Sequence, residues 1–293
     1  MKVRRSMASR AGRAIIAVML LVFAFSTVYP FWYVLMYSVS DSRAAMTGGL
    51  FFWPQQFTLD SYAMLLKTSQ LFVAYRNTIL KTLLGTGLSI LLTALTAFPL
   101  SIRRLPGRGF FSAAIFFTML FNGGMIPTFL VVQRMGLIDT FLALILPTAM
   151  NAYNLFILRN YFQQLPQSLE ESAYIDGATP PVVLFRIILP LSMPAIAAVT
   201  MFYGIENWNA YLDCLLYTNA NSLQTLQIYL RNLIASSGAM DAVAGVGGVT
   251  EVTLTEETVK MTAIAVSVLP VLIAYPFLQR YYTKGVMVGA VKG

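Results

Sequence analysis

The sequence predicts an all-α integral membrane protein with six transmembrane helices and both termini on the cytoplasmic side. Three observations predict it. First, 57% of the 293 residues are hydrophobic and only 11% are charged, whereas a soluble domain carries about 25% charged residues. That deficit leaves too little polar surface to face water, so lipid is the solvent for much of the chain. Second, six apolar stretches are close to or above the roughly 20 residues that a helix needs to cross a bilayer. Third, Lys and Arg concentrate in alternate connecting segments, as the positive-inside rule requires.

The first stretch, 14–40, is too long for a signal-peptide core and has no small-residue cleavage site. It therefore reads as a retained helix behind a cytoplasmic tail of residues 1–13, with 14–293 as the transmembrane domain. An external segment, 41–77, follows, and its Phe51, Phe52 and Trp53 suit a membrane interface. The second stretch, 78–102, and the third, 110–132, flank a connector carrying Arg103, Arg104 and Arg108. The fourth, 140–158, leads into a cytoplasmic loop at 160–189. The fifth, 190–217, opens with Pro190 and Pro194, which restrict how the chain turns into it. In the external segment 218–258, Leu223, Leu226, Ile228, Leu230, Leu233 and Ile234 fall at helical spacing and predict a helix on the membrane surface. A flexible glycine-rich stretch at 245–248 comes next, and then the sixth stretch, 259–281. With the N-terminus inside, 13 of the 20 basic residues lie on the cytoplasmic side, against three of the 12 acidic ones: Glu170, Glu171 and Asp176.

Composition excludes several kinds of chemistry. There is no histidine, which removes His-based triads, His-bearing zinc sites and haem ligation, and no metal site is expected. A lone Cys214 excludes an intramolecular disulfide and reads as a small buried hydrophobe. The net charge of +8 sits at the ends of apolar runs rather than in a stripe interleaved with aromatics, so no nucleic-acid partner is expected. No Gly-x-x-x-x-Gly-Lys-Ser/Thr phosphate loop occurs, so by that motif the chain is not itself an ATPase.

The loop at 160–189 is far longer than an ordinary connector between helices and carries organised helix signals. Ser168 followed by Glu171 is a capping-box pattern that predicts a short helix starting there. Gly177 suits the position just past its C-terminus. Thr179 can cap a second helix with Pro180 at its first position. Val183, Leu184, Ile187 and Ile188 give that helix an apolar face. The loop thus predicts two short helices hinged at Gly177, with apolar side chains exposed for a partner.

Glu171-Ser172-Ala173, then Asp176-Gly177, then Ile187 and Leu189-Pro190 at their spacing resemble the EAA loop of ATP-binding-cassette importer permeases. The wider run SLEESAYIDGATP…ILPLS is similar to the carbohydrate-uptake branch, of the maltose permease type, and Ser172 stands where the motif usually has alanine. The run FNGGMIPTFLVVQRMGLIDTFLALILP resembles a subgroup linked to acidic oligosaccharides such as aldouronate and alginate, alginate-importer permeases among them. The resemblance implies a type I importer permease fold in the bacterial cytoplasmic (inner) membrane. It also implies a non-catalytic subunit with no cofactor of its own, because ATP and magnesium sit on two copies of a separate ATPase subunit. Glu171 would meet a basic group there while Gly177 lets the helix pair bend into a groove. The further partners implied are a second, different permease subunit, an extracytoplasmic sugar-binding protein reached by the loop 218–258, membrane lipid and the sugar itself. Transport would proceed by alternating access.

The fifth stretch also holds polar residues that a lipid face would not accept: Glu206, Asn207, Asn209 and Asp213, with Trp208 and Tyr211. Aromatic faces beside hydrogen-bonding groups suit a sugar. Asn151, Tyr153 and Asn154, and Asn122 on the third stretch, can join them. Helix–helix polar contacts or placement in the outer interface are the other readings. Arg76, Lys81 and Arg231 are candidate cations for an anionic sugar, with interface anchoring as their other role. An ion-coupled secondary transporter and a non-transporting membrane scaffold are the alternative functions. The first leaves the loop unexplained, and the second would not need the polar residues of the fifth stretch.

Overall fold

The computed structural model describes residues 7–235 and 255–290, and every regular element among them is helical apart from one antiparallel bridge between Ser40 and Phe57. The chain divides into two compact units, residues 1–68 with 232–269 and residues 69–231 with 270–293.

In the first unit, α1 (Met7–Ser38) contains a 27-residue apolar segment, Gly12–Ser38, of mean hydropathy 2.2. At about 1.5 Å per residue it exceeds the roughly 30 Å hydrocarbon layer. Its middle turns, from Ile15 to Phe25, point their large side chains outward, as suits a helix solvated by acyl chains. Its last turns carry Tyr33 and Tyr37, whose rings pack on Phe51 at centroid distances of 5.2 and 5.0 Å. Phe51 is therefore buried against protein rather than offered to the interface, while Trp53 is exposed. Asp41 caps α2 (Ser42–Ala45) by accepting from the backbone N–H groups of Arg43 and Ala44. The hydroxyl of Tyr62 on α3 (Asp60–Leu66) returns to Ser38 at 2.8 Å.

The second unit is built around α4 (Ser69–Ser101), 33 residues long, which starts ahead of the predicted 78 and is half sheathed by protein. The third predicted span is not one rod. α5 (Arg108–Leu120) and α6 (Met125–Arg134) meet at 114°. The chain turns at Asn122-Gly123-Gly124, where Gly124 holds φ +91° and the Asn122 side chain accepts from the Gly124 N–H. Such a φ is open to glycine and strained for other residues. The fourth is also broken: 3₁₀ turns at Phe141–Leu144 and Leu146–Thr148 lead into α7 (Ala152–Phe162) at a 55° bend, with Pro147 withholding a donor at the break.

After α8 (Gln167–Ile175), α9 (Pro180–Leu191) meets α10 (Met193–Asn209) at 87°. The fifth predicted span breaks again at Ala210 before α11 (Leu212–Tyr217). α12 (Leu226–Ala235) and α13 (Glu256–Ala290) complete the chain. Among the described residues, two helices are each long and apolar enough to cross a membrane, and up to five spans result if every bent pair is counted as one. α13 covers the sixth predicted stretch with 35 residues.

α12 exists where the spacing predicts it, but most of its apolar residues are packed against protein, Ile234 remaining exposed. Leu226, Ile228, Tyr229 and Leu233 are buried, the Leu226 N–H donates to Thr78, and Ile228 packs with Leu144 and Cys214. Cys214 is buried, as expected of a small hydrophobe. The glycine-rich stretch at 245–248 lies outside the described residues.

α10 packs chiefly on α4 and α7. Gly85 allows a close approach, because a Cβ there would meet the Asn207 side-chain oxygen at 2.8 Å. Tyr203, 1% exposed, ties all three helices together. Its hydroxyl pairs with Thr93 of α4 at 2.8 Å and accepts from the Asn151 N–H at the head of α7 at 3.0 Å. Tyr203→Phe strands both partners, and a buried group without a hydrogen bond costs about 1–3 kcal/mol. Thermal unfolding of the solubilised protein is expected to show that loss. An unchanged midpoint would mean that the hydroxyl contributes nothing to holding the three helices.

Candidate functional site

The loop at 160–189 folds as two helices, with one difference at each start. α8 begins one residue before Ser168, its N-cap is Pro166, and no side chain caps it. The capping box is therefore not made; Pro166 pre-sets the backbone instead. The C-terminus matches the expectation. Gly177 holds φ +83°, its N–H donates to the Tyr174 carbonyl at 3.1 Å, and the Ala178 N–H reaches back to Ala173 at 2.9 Å. This pair of bonds is a Schellman closure around a left-handed residue. Thr179 precedes Pro180 in extended conformation but makes no side-chain cap bond.

α9 is longer than expected and contains a π-helical segment, Leu184–Ile188, within which the Leu189 N–H bonds to the Leu184 carbonyl. Pro190 has no N–H with which to continue the α pattern, and the widened turn accommodates it just before the 87° bend.

The apolar face of the loop points mostly inward, which corrects the expectation of an exposed patch made from it. Ala173, Val183, Leu184 and Ile188 are buried with Phe98 and Leu100 of α4 and Leu155, Leu158 and Phe162 of α7, while Ile187 and Leu189 are packed against that core. Burying them anchors α8 and α9 to the bundle. What stays outside is a different set. Glu171, Ser172, Asp176, Gly177 and Pro190 are exposed. With them stand Tyr174, Phe185 and above all Ile175, 86% exposed, none of which the motif singled out. The signal for Ile175 was weak: it lies two residues, about 200° around the helix, from the buried Ala173 and so cannot share its side.

Beside α8 lies a cavity of about 260 Å³ lined by Arg103, Arg104, Gln163, Glu170, Glu171 and Tyr174 among others. Burial, and then the neighbouring Glu171, push the Glu170 carboxyl above its ordinary range. Burial and Glu170 likewise raise the Tyr174 phenol.

The polar residues of the fifth stretch gather around two cavities. One of about 350 Å³ is lined by Thr148, Glu206, Asn207, Asn209, Tyr211 and Asp213. The other, about 640 Å³, has Trp208 and Asn209 beside Thr82, Thr86 and Thr200 in a mostly apolar wall. Neither lining includes Asn122, Asn151, Tyr153 or Asn154. Asn151 instead caps α7 by accepting from the Tyr153 and Asn154 N–H groups. Asn154 is buried and Tyr153 faces α5. Asn207 donates to the Tyr203 carbonyl of its own helix at 2.9 Å and makes the helix–helix contact with Thr86 and Gly85 of α4.

Asp213 is held in an ion pair. Lys81, fully buried, reaches it at 2.8 Å. Lys81 is thus committed to a protein carboxylate rather than available to an anionic sugar, and Arg76 donates to Asn77. Between α6 and the first 3₁₀ turn, Asp139 accepts from the backbone of Asn219 and Ala220, and the Asn219 backbone bond foremost holds its carboxyl below the ordinary range. A lowered folded value means that the contribution of Asp139 is present above the unfolded value of about 3.9 and is lost as pH falls through the folded one. Hydrogen-exchange protection of the Asn219 and Ala220 amides is expected to fall below about pH 4, and Asp139→Asn should show reduced protection at neutral pH already. Equal protection in both proteins would refute the clamp.

With this geometry in place, comparison with known proteins is decisive. The family model of the binding-protein-dependent transport system inner membrane component matches residues 4–288. The chain belongs to this family. It is an inner-membrane, multi-pass permease component of an ABC transporter, the membrane-spanning and non-catalytic part of it. The permease is 42% identical to the polygalacturonan/rhamnogalacturonan transport system permease protein YtcP of Bacillus subtilis, over 94% of this chain and 96% of that one. It is 30% identical to the inner membrane ABC transporter permease protein YcjP of Escherichia coli, with 94% of each chain covered. A chain from the crystal structure of a bacterial ABC transporter involved in the import of the acidic polysaccharide alginate matches at TM-score 0.88 and 33% identity, covering 94% of this chain and 98% of that one. The all-helical fold with its bent pairs is therefore the importer permease fold.

Proposed function

We propose that this permease carries oligosaccharides, uronate-containing ones among them, across the membrane for a binding-protein-dependent importer by alternating access. Its topology in this reading has six spans, a cytoplasmic tail at 1–13, a transmembrane domain at 14–293 and both termini inside. The loop at 160–189 docks on one of two ATPase subunits, which hold ATP and magnesium. A second, different permease completes the path, and the external loop 218–258 meets the extracytoplasmic sugar-binding protein.

The observation that carries this reading is the split of α8 and α9 into two faces. Ala173, Val183, Leu184 and Ile188 are fixed in the bundle, while Glu171, Tyr174, Ile175 and Phe185 stand outside. A push on the outer face is delivered to α4 and α7 because the inner face is packed at interior density. Rigid-body rocking of the bundle follows from such a lever. The sugar path runs along α10 and α11, where Trp208 offers a ring face and Glu206, Asn209 and Tyr211 offer hydrogen bonds. Likeness to a polygalacturonan/rhamnogalacturonan permease and to an alginate importer supports acidic chains as substrates. Lys81, paired with Asp213, is not the group that would meet their carboxylates.

The test is ATP hydrolysis by the complex reconstituted with its partner permease, ATPase and binding protein. Uronate oligosaccharides are expected to stimulate it more than neutral maltooligosaccharides. Stimulation by neutral sugars alone would overturn the acidic assignment, and stimulation by neither would overturn the sugar assignment.

A further inference from the structure

We propose that the groove between α5 and α7 is a binding site for an anionic phospholipid, with its phosphate on Arg108 and Arg159 and an acyl chain along Phe116 and Met119. The groove has a volume of about 470 Å³ and is lined by Ser112, Phe116, Met119, Tyr153, Phe156 and Arg159, among others. On α5, Arg108, Ser112, Phe116 and Met119 recur at helical spacing, so one face runs from a cation through a hydroxyl to apolar side chains. That order matches a phospholipid read from headgroup to tail.

The charged end is an unusual arrangement of cations. Arg108 and Arg159 each donate their Nε–H to the same carbonyl, that of Leu100, at 3.0 and 3.1 Å. Two guanidiniums thus share neutral acceptors alone, the Leu100 carbonyl and the Gln163 side-chain oxygen, which accepts from both in the amide orientation its neighbours require. Neither arginine stands in an ion pair with a carboxylate among the described residues, unlike Lys81 with Asp213 and Lys260 with Glu256. Arg159 is further held over the Phe156 ring at 5.6 Å, which fixes its plane. Like charges held this close favour an anion between them, and a guanidinium fork fits phosphate oxygens. The Ser112 hydroxyl, one turn from Arg108, is buried without a hydrogen-bond partner and provides a donor in the groove wall.

The arginines lie at the end of the bundle that carries the 160–191 segment, as their shared Leu100 carbonyl and the core residues Leu100 and Val183 place them. Placing that end at the cytoplasmic leaflet, where anionic lipid is met, rests on the topology proposed above. The binding chemistry does not.

The experiment incorporates the assembled complex into vesicles of equal parts phosphatidylglycerol and phosphatidylcholine, extracts it in mild detergent and measures the retained lipid by mass spectrometry, without sugar or ATP. Wild type is expected to retain phosphatidylglycerol over phosphatidylcholine. Each arginine near a membrane surface contributes about fivefold, so Arg108→Gln with Arg159→Gln should lower that preference by more than about tenfold. Ser112→Phe, which fills the groove and leaves both charges, should lower it as well. Inorganic phosphate at millimolar concentration should not displace the lipid; displacement would make the site one for free phosphate. Equal retention of the two lipids by wild type, or an unchanged preference in Ser112→Phe, would overturn the proposal. Because sugar-stimulated hydrolysis is not the readout, failure of the sugar reading leaves this result standing.

Discussion

Asp213→Ala is expected to destabilise the permease by about 3–5 kcal/mol, because it removes the ion-pair partner of a buried ammonium. Lys81 is fully buried and its partner is 14% exposed, so the loss should be greater on removing the carboxylate than on removing the amine. The pair joins the N-terminal half of α4 to α11, which are far apart in sequence. Replacing both partners by apolar residues of similar volume, Lys81→Met with Asp213→Leu, removes both desolvation penalties together with the attraction. That double variant is expected to unfold near the wild-type temperature. Thermal unfolding of the solubilised complex distinguishes the cases. If the double variant is as unstable as Asp213→Ala, the pair does more than cancel its own burial. If Asp213→Ala is itself neutral, water reaches Lys81 and the site is wetter than its geometry indicates.

Gly177→Asp is expected to abolish sugar-stimulated hydrolysis, by more than tenfold, while the permease still inserts and folds. The residue holds φ +83° and a Cβ added there meets nothing within 4 Å. The intrinsic cost is therefore the backbone strain of a left-handed L-residue, about 1–2 kcal/mol, and not a clash. Aspartate adds a further negative charge beside Asp176, on the exposed side that carries Glu171. Gly177→Asn imposes the same backbone strain without the charge and should keep most of the coupling. Equal loss in both variants would assign the effect to hinge strain, and full activity in Gly177→Asp would refute docking through this segment.

The existence of the helices was legible in the sequence because burial in lipid demands long apolar runs. Their breaks were legible only as isolated signals. Asn122-Gly123-Gly124, Pro147 and the pair Pro190 and Pro194 each mark a bend, yet hydropathy averages across the first two, and two predicted rods are bent pairs, while the third bent pair joins the loop helix to the fifth span. The hinge at Gly177 was readable because only glycine takes that φ without strain. The inward burial of Val183, Leu184 and Ile188 was not, since an apolar face does not say which neighbour covers it. The Lys81–Asp213 pair could have been found. One residue lies just inside the start of the second stretch and the other near the end of the fifth, and two antiparallel spans put those positions at one depth.

The 114° turn at Asn122–Gly124 also bears on biosynthesis. The stretch 110–132 is continuous in hydropathy, so a translocon that releases segments by apolarity would admit it as one straight helix with every backbone group satisfied internally. Bending it by that angle frees amides and carbonyls that acyl chains cannot satisfy. A turn at that depth is tolerated only where protein or water satisfies the freed groups, and the Asn122 side chain, by taking the Gly124 amide, already meets part of that demand from within the same turn.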